Sequence, residues 1–274
     1  MSHKIRRRRR KQRSRKSKKQ RGGSTETTVL EKNIPRKDTS HGETVNSVPL
    51  VIYQTWWTNN IPKGMKSTIE ENQKMNPEFE YHLFTDQDCE DFIRSAFDEK
   101  VLKAFQCLKP GAYKADLWRY CILYEKGGVY MDIKLLTKTK LLDLVKENSF
   151  LLVKDDEAFT GCYWNGFMIS SPKHPILKTA IDEAVKNIEL KEYGNTYLDT
   201  TGPCLLGKAV KQTQPDYKST ISLITDKSGP NNQIKRDSGE LICEYYHTYR
   251  EEQANTQNKE HYAKLWKEKD IFTC

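Results

Sequence analysis

Residues 112–136 read AYKADLWRYCILYEKGGVYMDIKLL, and their pattern decides the fold. In helical register Ala115, Trp118, Ile122 and Tyr124 fall on one broad face. Pro110, just upstream, is suited to a helix start. Gly127-Gly128 stops the helix and allows a tight entry into VYMDIKLL. That run reads as a strand from Val129, with Asp132 near its C-terminal end, where open α/β sheets gather ligands. Asp116 and Arg119, three apart, share a helix face, while residues 132 and 134 point to the same side of a regular strand. Four charged groups are thereby directed toward one polar ligand. A surface ion pair is the plainer reading of Asp116 and Arg119 taken alone.

Working outward, VPLVIYQTWW (48–57) reads as a buried first strand and FEYHLFTD (79–86) as a second, with Asp86 placed to cap the next helix. Between them MKSTIEENQKMN has helical spacing and ends before Pro77. Residues 88–108 fit one or two short helices. FLLVK (150–154) and GFMIS (166–170) read as strands, and Pro175 opens a helix. TGPCLLGKAV combines a turn with a helix start, and residues 220–224 and 241–246 read as late strands around the polar loop DKSGPNNQIKRDSGE. HYAKLWKEKDIF reads as a terminal helix packing Tyr262, Leu265 and Trp266. The alternation of strands and helices predicts an α/β fold, a mixed central sheet flanked by helices.

The chain has 274 residues and a net charge of +9. Residues 1–21 hold 8 Arg, 5 Lys and no acid, which leaves −4 for the rest. Residues 1–47 read as a disordered basic tail and linker, and residues 48–274 as one domain. The tail suits an anionic membrane surface, nucleic acid or nuclear targeting, but it lacks the interleaved aromatics of a base-stacking surface. No run approaches the roughly 20 apolar residues of a spanning helix. The 7 cysteines are odd in number and widely spaced, with no CxxC. They read as buried thiols of a reducing compartment, hence a cytoplasmic protein, peripheral to a membrane if the tail recruits it. No GxGxxG, Walker A, HExxH or GxSxG pattern occurs.

The order Asp116, Leu117, Trp118, Arg119, Tyr120, Gly127, Gly128, Tyr130, Asp132 resembles the DXD-containing glycosyltransferases related to yeast initiating α-mannosyltransferases and capsular polysaccharide synthesis enzymes. It is similar, more distantly, to clostridial glucosylating toxins. VIYQTWW, NPEFEYHLFTD, YWNGFMISSPKHP and TGP resemble further elements of that family. The resemblance implies a GT-A-like fold and transfer of a hexosyl unit, with retention, from a nucleotide-diphosphate sugar to a hydroxyl of a glycan, lipid or protein acceptor. Asp116, Arg119, Asp132 and Lys134 are then the catalytic set. Asp116 and Arg119 hold donor hydroxyls or diphosphate, Asp132 binds sugar or ribose and helps order Mn²⁺ or Mg²⁺, and Gln54, Thr55 and Trp56 frame the base. Tyr163, Trp164, Asn165, Thr201, Gly202, His261 and Trp266 are further donor- or acceptor-side contacts.

The departure from the family pattern is Asp132-Ile133-Lys134, where Lys134 stands in place of the second acid. An ammonium has no acceptor for a metal, so Lys134 is expected to contact diphosphate or replace part of the metal's field. The same departure motivates a competing reading as a weakly catalytic glycan- or nucleotide-sugar-binding module. A protein that works through its polyanion-binding tail is the other.

Overall fold

The computed structural model describes residues 25–225, 232–257 and 260–274. The basic run 1–21 lies outside the described residues. In chain order the strands are β1 (Thr27–Val29), β2 (Asn33–Ile34), β3 (Thr44–Val45), β4 (Val48–Pro49), β5 (Val51–Thr55), β6 (Asn60–Pro62), β7 (Glu80–Phe84), β8 (Gly128–Met131), β9 (Leu135–Thr137), β10 (Phe150–Lys154), β11 (Tyr163–Ser170), β12 (Ile221–Ile224), β13 (Gln233–Arg236) and β14 (Leu241–Tyr245). The helices are α1 (Lys63–Met75), α2 (Asp86–Ala96), α3 (Glu99–Cys107), α4 (Gly111–Lys126), α5 (Leu141–Glu147), α6 (Pro175–Glu189), α7 (Pro203–Thr213), α8 (Tyr249–Thr256) and α9 (Tyr262–Lys267).

Ten of these strands form one mixed sheet in the order β2-β7-β5-β8-β11-β10-β12-β13-β14-β9. β5 runs parallel to β7 on one side and β8 on the other. The chain leaves β5 through α1 to reach β7, then crosses back through α2, α3 and α4 to β8. That reversal is a topological switch point, and ligand crevices form at the carboxyl ends of such strands. Period-2 alternation divides the interior in two. Tyr53, Tyr130, Leu152 and Met168 face a core shared with α3, α4, α6 and α7. Ile52, Val129, Met131, Leu151, Val153, Phe167 and Ile169 face one shared with α1 and α5. Strands buried on both faces read as continuous apolar runs, which is why FLLVK and GFMIS stand out in the sequence.

α4 is buried almost all round, from Asp116 through Leu123. Gly127 ends it at φ 68° and Gly128 follows at φ 99°. A Cβ on Gly127 would lie 2.7 Å from Pro172 and 2.9 Å from Pro49, and one on Gly128 2.9 Å from the Val51 carbonyl. Only glycine fits this turn, and it delivers β8 beside β5.

Four expectations are corrected. Residues 25–47 belong to the fold: β2 pairs with β7, and β1 with β6. Too short and polar to show periodicity, they take their order from the sheet edge. The cap of α2 is Thr85, in a reciprocal capping box with Asp88, and not Asp86. VYMDIKLL is two strands. β8 stops at Met131, the chain turns through 132–134 with the Leu135 N–H donating to the Asp132 carbonyl (2.9 Å), and β9 pairs with β14 at the far edge. Buried Asn72 fixes that departure by donating to the Leu135 carbonyl and accepting from the Thr137 N–H, both at 2.8 Å. Finally, Cys107 pairs with Cys274 and Cys162 with Cys204. The buried-thiol reading holds for Cys89, Cys121 and Cys243. It fails for the other four because partners 167 and 42 residues apart meet only through tertiary packing, and with them goes the cysteine argument for a reducing compartment.

Candidate donor-binding site

A cleft of about 400 Å³ opens beside the C-terminal ends of β8 and β10, with Asp116, Arg119, Asp132, Lys134, Trp164, Asn165 and Gly202 on its wall. Charges alternate along that wall. Arg119 lies 3.5 Å from Asp116 and 3.4 Å from Asp132, and the Lys134 Nζ lies 2.7 Å from Asp132. The four groups predicted from spacing therefore converge.

Each is held by its neighbours. The Asp116 carboxylate accepts from the Asn165 amide and the Thr201 hydroxyl, both at 3.0 Å. Burial pushes it above the usual carboxylate range, against the pull of Arg119 and these hydrogen bonds. Arg119 donates to the carbonyls of Ala115 (3.0 Å) and Asn165 (2.9 Å) and lies over the Tyr130 ring. Asp132 accepts from the Tyr130 hydroxyl at 2.8 Å. Burial would raise Asp132, but Lys134 and Arg119 outweigh it and hold the carboxyl below its normal value. Lys134 loses solvation by burial, yet Asp132, Tyr245 and Tyr249 raise it and keep it charged. Its ammonium is 5.3 Å from the Trp164 ring centroid, 4.9 Å from Tyr245 and 5.9 Å from Tyr249, a three-sided aromatic cage. The turn after β8 builds that cage, because pairing β9 with β14 brings Tyr245 alongside.

Gly166 lets this wall close. The Asp132 N–H donates to the Gly166 carbonyl at 2.8 Å, and a Cβ there would lie 2.2 Å from the Trp164 ring and 2.6 Å from the Asp132 carboxylate. Gly166→Ala is expected to displace both and, through the overpacking, to destabilise the fold by on the order of 1–3 kcal/mol. Chemical denaturation of the variant beside the unmodified chain checks it.

Other predicted contacts divide. Trp164, Asn165 and Gly202 line the cleft. Thr201 sits behind it, bonded to Asp116, and Tyr163 packs on Tyr217. Gln54 is buried: its amide reaches the Asp132 carbonyl (3.4 Å) and its oxygen accepts from Tyr81 (2.8 Å). Thr55 donates to the Phe84 carbonyl, and Trp56 lies in the second core. Gln54 supports the wall from behind through Asp132, Thr55 and Trp56 are engaged elsewhere, and none of the three lines the cleft. His261 caps α9 and Trp266 donates to the Tyr193 carbonyl, so neither reaches the cleft; Tyr262, between them, does. A short helix presents one residue of the three.

Asp155 and Asp156, just beyond β10, were not singled out from sequence and also line the cleft. Burial, with a contribution from Asp156, raises Asp155 from 3.8 to about 6, although it accepts from the Asp156 N–H. Its folded value exceeds the unfolded one, so the ionised form is penalised. That cost is absent below about pH 4, grows as pH rises through about 6, and is complete above it. Asp155→Asn is expected to stabilise the fold at pH 8, by on the order of 1–3 kcal/mol, and to leave it unchanged at pH 3.5. Chemical denaturation at the two pH values checks it.

The donor set at residues 132–134 does not fit a divalent cation. Asp132 is the one acid of the triplet, and its oxygens are engaged by Tyr130 and Lys134. Among the described residues, the cleft's carboxylates form no cluster of metal-binding spacing; the one such cluster contains Asp38, His41 and Glu78.

Residues 62–151 match a family described as the glycosyltransferase sugar-binding region containing DXD motif. The resemblance is to the DXD-containing glycosyltransferases. Inositol phosphoceramide mannosyltransferase 1 of Schizosaccharomyces pombe is 29% identical over 60% of this chain and 51% of its own length. An uncharacterized glycosyltransferase of Acanthamoeba polyphaga mimivirus is 28% identical over 66% of this chain and 72% of its own. The initiation-specific alpha-1,6-mannosyltransferase of Candida albicans is 26% identical over 40% and 30%. The chain spans about half the length of the inositol phosphoceramide mannosyltransferases it matches. These matches agree with the resemblance read from the sequence, and the mixed α/β architecture expected from it is present in the ten-stranded sheet and its flanking helices.

Proposed function

We propose that this chain transfers a hexosyl unit, a mannosyl unit foremost, from a nucleotide-diphosphate sugar to a hydroxyl of a glycan or lipid acceptor. The observation that carries this reading is the alternating row Asp116, Arg119, Asp132, Lys134 on one cleft wall. Carboxylates accept from sugar or ribose hydroxyls, and a cation beside them balances the charge that gathers on a departing diphosphate. Arg119 spends its donors on Ala115, Asn165 and the two acids, so it acts by holding Asp116 and Asp132 in register. Lys134 is the more exposed cation, with 18% of its side chain accessible against 7% for Arg119, and it meets the diphosphate.

In the proposed step the bond from the sugar's anomeric carbon to phosphate oxygen breaks and a bond to the acceptor oxygen forms on the same face. The acceptor's proton passes to the departing phosphate oxygen, which accounts for retention without a separate protein base. Fixing donor and acceptor in the cleft supplies the proximity. The lipid acceptor rests on the names of the inositol phosphoceramide mannosyltransferases. Among the described residues no helix is long and apolar enough to cross a membrane.

The test is a screen of nucleotide sugars for transfer to glycan and lipid acceptors, with the product anomer assigned by NMR. A GDP- or UDP-sugar that yields a product of unchanged anomeric configuration supports the reading. An inverted product overturns retention. Donor binding with no transfer or hydrolysis would instead make the chain a nucleotide-sugar-binding module.

A further inference from the structure

Between β2 and β3 the chain passes over the turn that joins α1 to β7. The N–H groups of Lys37 and Asp38 donate to the Pro77 carbonyl at 2.8 and 2.9 Å, which pins this passage against the body. Here Asp38, His41 and Glu78 each bring one ligand atom to within 4.8 Å of the other two. Glu78 is 4% exposed, and its Oε2 is buried with no hydrogen-bond partner. A buried carboxylate oxygen left without a donor forfeits its hydration uncompensated, a cost that native structures remove with a partner or an ion. No protein donor reaches that oxygen, and the Glu78 carboxylate shares its surroundings with the His41 imidazole and the Asp38 carboxylate.

We infer that Asp38, His41 and Glu78 form a binding site for a first-row divalent transition cation, which staples residues 37–43 to the α1–β7 turn. Two carboxylates and one imidazole are a mixed oxygen and nitrogen set. Mg²⁺ and Ca²⁺ favour oxygen ligands alone, whereas Zn²⁺ accepts three such protein ligands and completes its shell with water. Bonds to zinc of about 2.0–2.2 Å hold ligand atoms within roughly 4 Å of each other, so side-chain shifts of under about 1 Å from the observed spacing close the site. Two ligands come from a segment whose own strands are two residues long and one from the buried edge of the body. The ion therefore supplies order that the local sequence does not. The site lies apart from the residues lining the donor cleft, so this inference stands whether or not the chain transfers sugar.

The experiment titrates the chelator-stripped, untagged full-length chain with ZnCl₂ by calorimetry and native mass spectrometry, alongside His41→Ala, Asp38→Asn and Asp132→Asn. One equivalent of zinc is expected, with affinity at least about tenfold weaker in His41→Ala and Asp38→Asn and unchanged in Asp132→Asn. Zinc should raise the melting temperature of the unmodified chain and not that of His41→Ala. His41 is exposed, so its loss leaves the fold intact. Absence of saturable zinc binding overturns the proposal, as does equal affinity in His41→Ala and Asp38→Asn, or binding lost in Asp132→Asn.

Discussion

Asp132→Asn is expected to lower turnover about 10²–10³-fold, the scale on which a single preorganised charge acts at a reacting phosphate. Asp132 is the common partner of both cations, 3.4 Å from Arg119 and 2.7 Å from Lys134, and it accepts from Tyr130 as well. An asparagine keeps the size but removes the charge, so Lys134 loses its anchor inside the aromatic cage and Arg119 is left paired with Asp116 alone. Breaking a buried pair from one side typically costs about 3–5 kcal/mol, so the melting temperature should fall with activity. The two losses separate by measurement. Nucleoside diphosphate affinity, read by calorimetry at a temperature where the variant is fully folded, should drop in parallel with turnover. A folded Asp132→Asn protein with unchanged turnover at limiting donor would remove Asp132 from the reaction.

What made this site legible was its compactness in sequence. Asp116 and Arg119 are one helical turn apart, and Asp132 follows a glycine turn whose geometry admits no other residue. The strands that hold it are buried on both faces, so their apolar runs announce themselves. The parts that escaped depend on long-range contacts. The split between β8 and β9 is made by Asn72 and by pairing with β14, more than a hundred residues on, and without it nothing shows that Tyr245 and Tyr249 enclose Lys134. Asp155 looks like any loop acid until its carboxyl is buried beside the cleft. Gln54, Thr55 and Trp56 carry a family-like pattern, but strand-end side chains face sheet or cleft according to register, and here hydrogen bonds to Asp132, Tyr81 and Phe84 take two of them out of reach. The disulfides and the ordering of residues 25–47 share the same origin, since neither local propensity nor spacing encodes a partner met only in the folded chain.

Lys134 sets the second expectation, that the reaction proceeds without a divalent metal at residues 132–134. The ammonium sits where a second acid would otherwise join Asp132 in binding a cation, its charge retained by Asp132 and by the ring faces of Trp164, Tyr245 and Tyr249. A tethered ammonium carries one positive charge instead of two, but it needs no binding equilibrium and is already oriented. Lys134→Ala is expected to cut turnover about 10²-fold, and added Mn²⁺ should not restore it, because one carboxylate is a poor site for a hard cation. Lys134→Asp is the informative contrast: it supplies the missing acid, so it should be inactive in EDTA and regain part of its turnover with Mn²⁺. Transfer by the unmodified chain should withstand EDTA. Loss in EDTA that Zn²⁺ reverses together with the melting temperature reports the Asp38–His41–Glu78 staple, whereas loss at unchanged melting temperature that only Mn²⁺ or Mg²⁺ reverses would mean that Lys134 does not stand in for the metal.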